Sequence, residues 1–336
     1  MFLLMFSIFG SLAPAQALAA SPSPTRAGAA SGWLARQLTG GSHLVIKYKG
    51  SIYPNQGGTI DALLAFAAAG TANGYGARAI SWLERPAVLA GYIGNGSTSS
   101  FAGATAKLAL AAEVRGLDPA RFGGVNLPAR LARLLTPSGR YSDHSRFGDF
   151  SNAFSQALAI IALHRHGGAP AKAVNFLIRS ACANGGFPLD FGQKTCVSDP
   201  DATAVAAQAL IATGHNTAAQ RGLRWLAGVQ RPDGGFVAAG GAVANANTTG
   251  LAGEALAVGR WAHRAARARR FLVGLQAGCA SPAARRGAIA FDTNGFQAAT
   301  AVGATAQGIL GLADISLAKL SARGASRVTP TLRCAS

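Results

Sequence analysis

The most regular feature of the chain is a spacing of apolar and polar positions that returns six times. Trp33-Leu34, Trp82-Leu83, Arg130-Leu131, Phe176-Leu177, Trp225-Leu226 and Phe271-Leu272 are separated by steps of 49, 48, 46, 49 and 46 residues. Each pair sits in an Arg-bearing stretch with helical periodicity, and the later pairs lead into a glycine turn followed by an aromatic residue. Asn184-Gly185-Gly186-Phe187 and Asp233-Gly234-Gly235-Phe236 are the clearest of these turns; the residue after the second glycine lies 11 positions beyond the aromatic of its pair in both. Each turn is followed by a loop and then a second helix of small residues. These second helices are expected over 61–69, 104–112, 152–163, 203–212, 249–258 and 301–312.

Two-helix units of this kind cannot bury their apolar faces alone and must stack on their neighbours. The Ala/Gly-rich helices suit close approach in an inner ring. The Arg-bearing helices suit an outer ring with a charged face in water. The expected fold class is all-α, a single (α/α)6 toroid of six helical hairpins over residues 33–320, followed by a tail, 321–336.

The ends and the composition change the picture. Residues 1–20 are mostly apolar and close on Ala17-Leu18-Ala19, the pattern of a secretory signal peptide cut near Ala19 or Ala20. No Lys or Arg precedes the apolar run, which departs from that pattern and leads to the expectation of a true start upstream of Met1. Residues 21–32, rich in Ser, Pro and Ala, read as a linker. No later stretch has the length and composition of a membrane span, so a secreted mature protein without a transmembrane helix is expected. The four cysteines, Cys182, Cys196, Cys279 and Cys334, then read as two disulfides. Cys182 and Cys196 bracket one loop, which favours that pair and leaves Cys279 with Cys334. With no Cys-x-x-Cys, no metal site is expected, and no motif asks for a cofactor. The net charge of +18, from 31 basic and 13 acidic residues, suits an anionic cell envelope as partner. Basic and aromatic residues do not interleave, so no nucleic-acid partner is expected.

Residues 221–236, Arg-Gly-Leu-Arg-Trp-Leu through Gln230 to Asp-Gly-Gly-Phe, resemble the repeat of squalene and oxidosqualene cyclases and protein prenyltransferases, with Phe236 where Trp is usual. This prenyltransferase/squalene oxidase repeat implies the same toroid, which vitamin B12 carriers also use. A second stretch is similar to the acid motif of squalene–hopene-type (class II) terpene cyclases: Gly185-Gly186-Phe187, Phe191, then Asp199-Pro200-Asp201-Ala202-Thr203-Ala204-Val205. The resemblance implies that Asp201 protonates an alkene or epoxide. Ala202 stands where the family has a further Asp.

The repeats offer a plainer account of Asp201. Superposing Gln156, Gln208 and Glu254 aligns Asp149, Asp201 and Asn247, acids or amides at helix starts, where side chains accept from free backbone N–H groups. The same superposition makes Gln156, Gln208, Glu254 and Gln307 a partial polar ring for a ligand in the toroid, with helix-to-helix hydrogen bonds in the wall as the alternative. Phe147, Phe150, Phe187, Phe191 and Phe236 are candidates for the apolar mouth. The reading these residues favour is a secreted module that binds a small hydrophobic ligand, isoprenoid-like or corrinoid-like, without catalysis. The alternative is a class II terpene cyclase-like enzyme with Asp201 and Asp199 as its catalytic pair.

Overall fold

The computed structural model describes residues 25–334, so the expected signal peptide lies outside the described residues. Thirteen α-helices and one small hairpin are present among them. The inner helices are α2 (Gln56–Ala69), α5 (Ala102–Val114), α7 (Ala153–Arg165), α9 (Pro200–Ala212), α11 (Ala246–Val258) and α13 (Ala298–Ala313). Each packs on the next, and α13 packs on α2, so the ring closes. The outer helices are α1 (Arg26–Ala35), α3 (Asn73–Leu83), α6 (Leu127–Leu134), α8 (Ala171–Arg179), α10 (Asn216–Val229) and α12 (Ala262–Leu275). One extra helix, α4 (Pro86–Ile93), follows α3. The fold is an (α/α)6 toroid.

Small residues make the inner ring tight. On α11 and α13 the backbones touch where Gly250 meets Gly308 and Gly311, a packing that any larger side chain would push apart. The outer ring is joined to the inner one by the glycine turns. Gly139, Gly185, Gly234 and Gly287 all have φ between 92° and 94° and pack on the backbone of the next outer helix, which only glycine tolerates. For Gly287 that helix is α1, so the last turn docks on the first repeat.

Side-chain amides complete these joints. Gln230 Nε2 donates to the Gly234 and Arg264 carbonyls at 3.0 and 2.9 Å. Gln276 Nε2 donates to Gly287 at 3.1 Å and across the seam to Arg26 at 2.9 Å. In the third repeat the amide comes from the inner helix: Gln156 Nε2 donates to Gly139 and Ala173, and its Oε1 accepts from Tyr141 N–H. Gln156 therefore belongs to the wall, which corrects its expected place in a polar ring.

Three differences from the sequence reading have local causes. Residues 26–32 are not linker but the buried start of α1, because their small side chains lie under the C-terminal tail, with Gly32 against Pro330. The strands β1 (Leu44–Tyr48) and β2 (Ser51–Asn55) form an antiparallel hairpin before α2, so the chain is not purely helical. The tail pairs with Val114, Gly70, Ala72 and Asn73 beneath the ring and is pinned by Cys279–Cys334, while Cys182–Cys196 closes the loop before α9.

Candidate functional site

Hydrogen bonds set the register of the inner helices. The hydroxyls of Thr59, Thr203, Thr249 and Thr305 accept from the backbone N–H of Leu44, Phe187, Phe236 and Ile289 at 2.8–2.9 Å. Gln156 does the same for Tyr141. Each of these side chains thus fixes the strand-like residue after its turn. The helix caps lie four residues earlier: Asn55, Asn152, Asp199 and Asn245 accept from first-turn amides, and Phe101 holds the same place in α5. In α13, which starts one turn early, the equivalent residue is Ala301.

This register corrects the sequence alignment. Gln156 is equivalent to Thr203 and Thr249, not to Gln208 and Glu254, and Phe154 rather than Asp149 is equivalent to Asp201. The loop before α7 holds Asp149, which accepts from Asp143 and Ser151 N–H and pairs with Arg140 at 3.0 Å.

The central cavity follows directly from the register. The sixth residue after each cap is Asp61, Lys107, Leu158, Val205, Leu251 and Gln307, and all six line one cavity of about 230 Å³ on the toroid axis. Side chains four apart on a helix stack on one face. The residues one turn nearer the helix N-termini, Gly57, Gly103, Phe154, Asp201, Asn247 and Gly303, therefore form the layer between cavity and mouth; Gly103 and Phe154 line the cavity itself. Below, the segment after α13 makes the floor. Leu317 lines the cavity, its N–H donates to Gln208 Oε1 at 3.1 Å, and Arg165 holds the carbonyls of Leu317 and Ala318 at 3.1 and 2.8 Å.

Asp199 and Asp201 have separate duties. Asp199 is the α9 cap, accepting from Ala202 N–H at 2.7 Å. Burial pushes its carboxyl above the usual range, against the pull of those amides. Asp201 does not cap, contrary to the plainer sequence account. Its Oδ1 is buried without a hydrogen-bond partner. Burial, and then the neighbouring charge of Asp199, push Asp201 up to about 6, with the Thr248 hydroxyl acting the other way. Bracing by Cys182–Cys196, and a Ser198–Asn184 hydrogen bond of 2.7 Å, hold the loop that delivers this pair.

The remaining candidates fall in different places. Gln307 lines the cavity. Gln208 and Glu254 share the layer beneath Val205 and Leu251, and Glu254 is fully buried with both carboxyl oxygens unpartnered. Burial pushes it up to about 8, with Gln208 acting against that rise. Phe187 and Phe236 are buried between the rings, since the hydrogen bonds to Thr203 and Thr249 turn them away from the axis. Phe191 is drawn outward onto Phe176, ring centroids 5.0 Å apart. Phe147 and Phe150 are 66% and 68% exposed on the loop before α7. The cavity residues Asp61, Lys107, Tyr92 and Phe154 were missed. Only the exact register of the inner helices would have found Asp61, Lys107 and Phe154, because each is an ordinary residue of an Ala-rich helix, whereas Tyr92 comes from the extra helix α4.

Among the described residues no helix is long and apolar enough to cross a membrane. No group of three His, Cys, Asp or Glu side chains is placed to hold a metal there.

No protein-family model and no curated protein matches the chain. Solved structures do. A protein from Actinoplanes is 18% identical at a TM-score of 0.62, over 86% of this chain and 98% of that one. The type II terpene cyclase MstE from Scytonema, in complex with geranylgeranyl dihydroxybenzoate, is 13% identical at a TM-score of 0.63, over 88% and 97%. The ent-copalyl diphosphate synthase from Streptomyces platensis is 18% identical at 0.50, over 76% and 50%. The likeness is one of fold: the chain has the same α/α toroid as these structures.

Proposed function

We propose that the protein is a class II terpene cyclase-like enzyme, in which Asp201 protonates an isoprenoid chain held in the central cavity. The observation that carries this reading is the buried, unpartnered Oδ1 of Asp201, in the layer directly above the cavity-lining Val205. A carboxyl pushed up to about 6 keeps a usable protonated fraction near neutral pH. In sequence Asp201 reads most simply as a helix cap; Asp199 fills that post.

The reaction balances without a cofactor. The Asp201 proton adds to one alkene carbon, forming a C–H bond and a tertiary carbocation. The next π bond attacks the cation and forms a C–C bond. Loss of a proton from a neighbouring carbon to water gives the neutral cyclic product, and Asp201 is reprotonated through the mouth. The rings of Phe154 and Tyr92 on the cavity wall are suited to face the cation, while Leu158, Val205 and Leu251 keep water off it.

The cavity favours an isoprenoid over a corrinoid: about 230 Å³ is below the roughly 300–1,000 Å³ of pockets for drug-sized ligands. The likeness to a cyclase solved with a geranylgeranyl ligand points the same way. Two disulfides support an oxidising, extracellular compartment. The test is incubation with farnesol, geranylgeraniol and squalene, followed by product analysis. The expected result is a cyclised isomer of one of them that the Asp201→Asn variant does not form; the same product from that variant sinks the reading.

A further inference from the structure

The cavity ring is divided in two. Leu158, Val205 and Leu251 are consecutive and apolar; Gln307, Asp61 and Lys107 are consecutive and polar. The layer above divides the same way. Over the apolar half stand Phe154, Asp201 and Asn247. Over the polar half stand Gly57, Gly103 and Gly303, and the room their missing side chains leave is reached by the polar tips of Tyr92, Ser155 and Asn247.

Lys107 Nζ lies 2.7 Å from Asp61 Oδ1 and donates to the Gly57 carbonyl at 3.1 Å. An ammonium has three donors, so one remains. Asp61 likewise keeps its second oxygen for another donor. Both side chains retain surface, 28% and 21%, and both line the cavity. Burial alone would lower the Lys107 pKa, yet Asp61 first and then Tyr92 raise it, so Lys107 keeps its charge. Two facing leucines would fill this place at less cost than an ion pair taken out of water.

We propose that Asp61 and Lys107, with Gln307 beside them, form a subsite for an uncharged oxygen group, an alcohol above all, at the end of the ligand remote from Asp201. An alcohol oxygen accepts from Lys107 while its hydrogen donates to Asp61, which uses the two free valences together. A diphosphate or carboxylate is disfavoured, because Lys107 is the one cation lining the cavity among the described residues and Asp61 already neutralises it. The isoprenoid nature of the chain rests on the reading above; the choice of end group rests on the cavity alone.

The test is isothermal titration of the full chain with farnesol, its saturated hydrocarbon farnesane, and farnesyl diphosphate. In the wild type farnesol should bind about tenfold or more tightly than either of the others, the worth of one or two hydrogen bonds to charged groups. In Lys107→Met/Asp61→Leu, which leaves neither charge alone, that preference over farnesane should vanish while farnesane binds as before. Equal binding of farnesol and farnesane by the wild type, or tighter binding of the diphosphate, overturns the proposal whether or not the double variant folds. Asp201→Asn should keep the preference, so a protein that binds the alcohol but turns nothing over sinks only the catalytic reading.

Discussion

Asp199 accepts the Ala202 amide at 2.7 Å and so leaves Asp201, two residues on, with no capping duty and a buried, unpartnered oxygen. The two acids are also coupled, since the charge of Asp199 is the second cause, after burial, of the raised pKa of Asp201. Protonation-initiated turnover should be high below pH 6 and fall as pH rises through about 6, where Asp201 loses its proton. Asn is as good a helix cap as Asp, so Asp199→Asn should fold and move that falling limb to lower pH. A pH–rate profile of both proteins checks it, and an unmoved limb contradicts the coupling.

Glu254 gives the fold a pH dependence of its own. Its carboxyl is pushed up to about 8 in the folded protein, against the usual value near 4.5 once unfolded. Between those values the folded state holds a proton that the unfolded state has lost, so stability falls as pH rises, by about 1.4 kcal/mol per pH unit at most. Asp201 adds a weaker slope of the same sign below pH 6. Glu254→Gln should therefore be more stable than the wild type at pH 8 and lose most of the decline between pH 5 and 8. Urea unfolding across that range is the check.

Gln276 joins the ends of the ring through its bonds to Gly287 and Arg26. Gln276→Ala leaves the Gly287 carbonyl without its donor, removes the bond across the seam to Arg26, and should cost about 2 kcal/mol. The exposed Gln193→Ala serves as control and should cost near nothing. Equal midpoints in urea for the two variants would show that the seam does not depend on this amide.

The repeat was legible because its marks are large residues under strict geometric demand. An aromatic residue recurs in five of the six outer helices, and a glycine in four of the turns, since each of those turns must meet a backbone with φ near +93°. The cysteine pairing was legible from the bracket around one loop. The site was harder to read. Gln156 and Gln208 look alike in sequence but serve different ends, one supplying a wall amide and the other accepting from the floor at Leu317. Gln156 lies four residues after its cap and Gln208 nine, so aligning on the Gln residues shifted Asp149 onto Asp201. Position in the ring follows from the threonine-to-backbone hydrogen bonds, and those become visible only when the turns and inner helices are placed together. Asp61 and Lys107 interact across 46 positions, and no local pattern announces them.

The central claim is that Asp201 delivers a proton to carbon. Incubating the protein with farnesol, geranylgeraniol and squalene in D2O, and analysing the products by mass spectrometry, tests it most directly. The account expects a cyclised product from the wild type carrying one non-exchangeable deuterium from the initiating step, and none from Asp201→Asn. A cyclised product without deuterium, undiminished product from Asp201→Asn, or no product from any of the isoprenoids would contradict it.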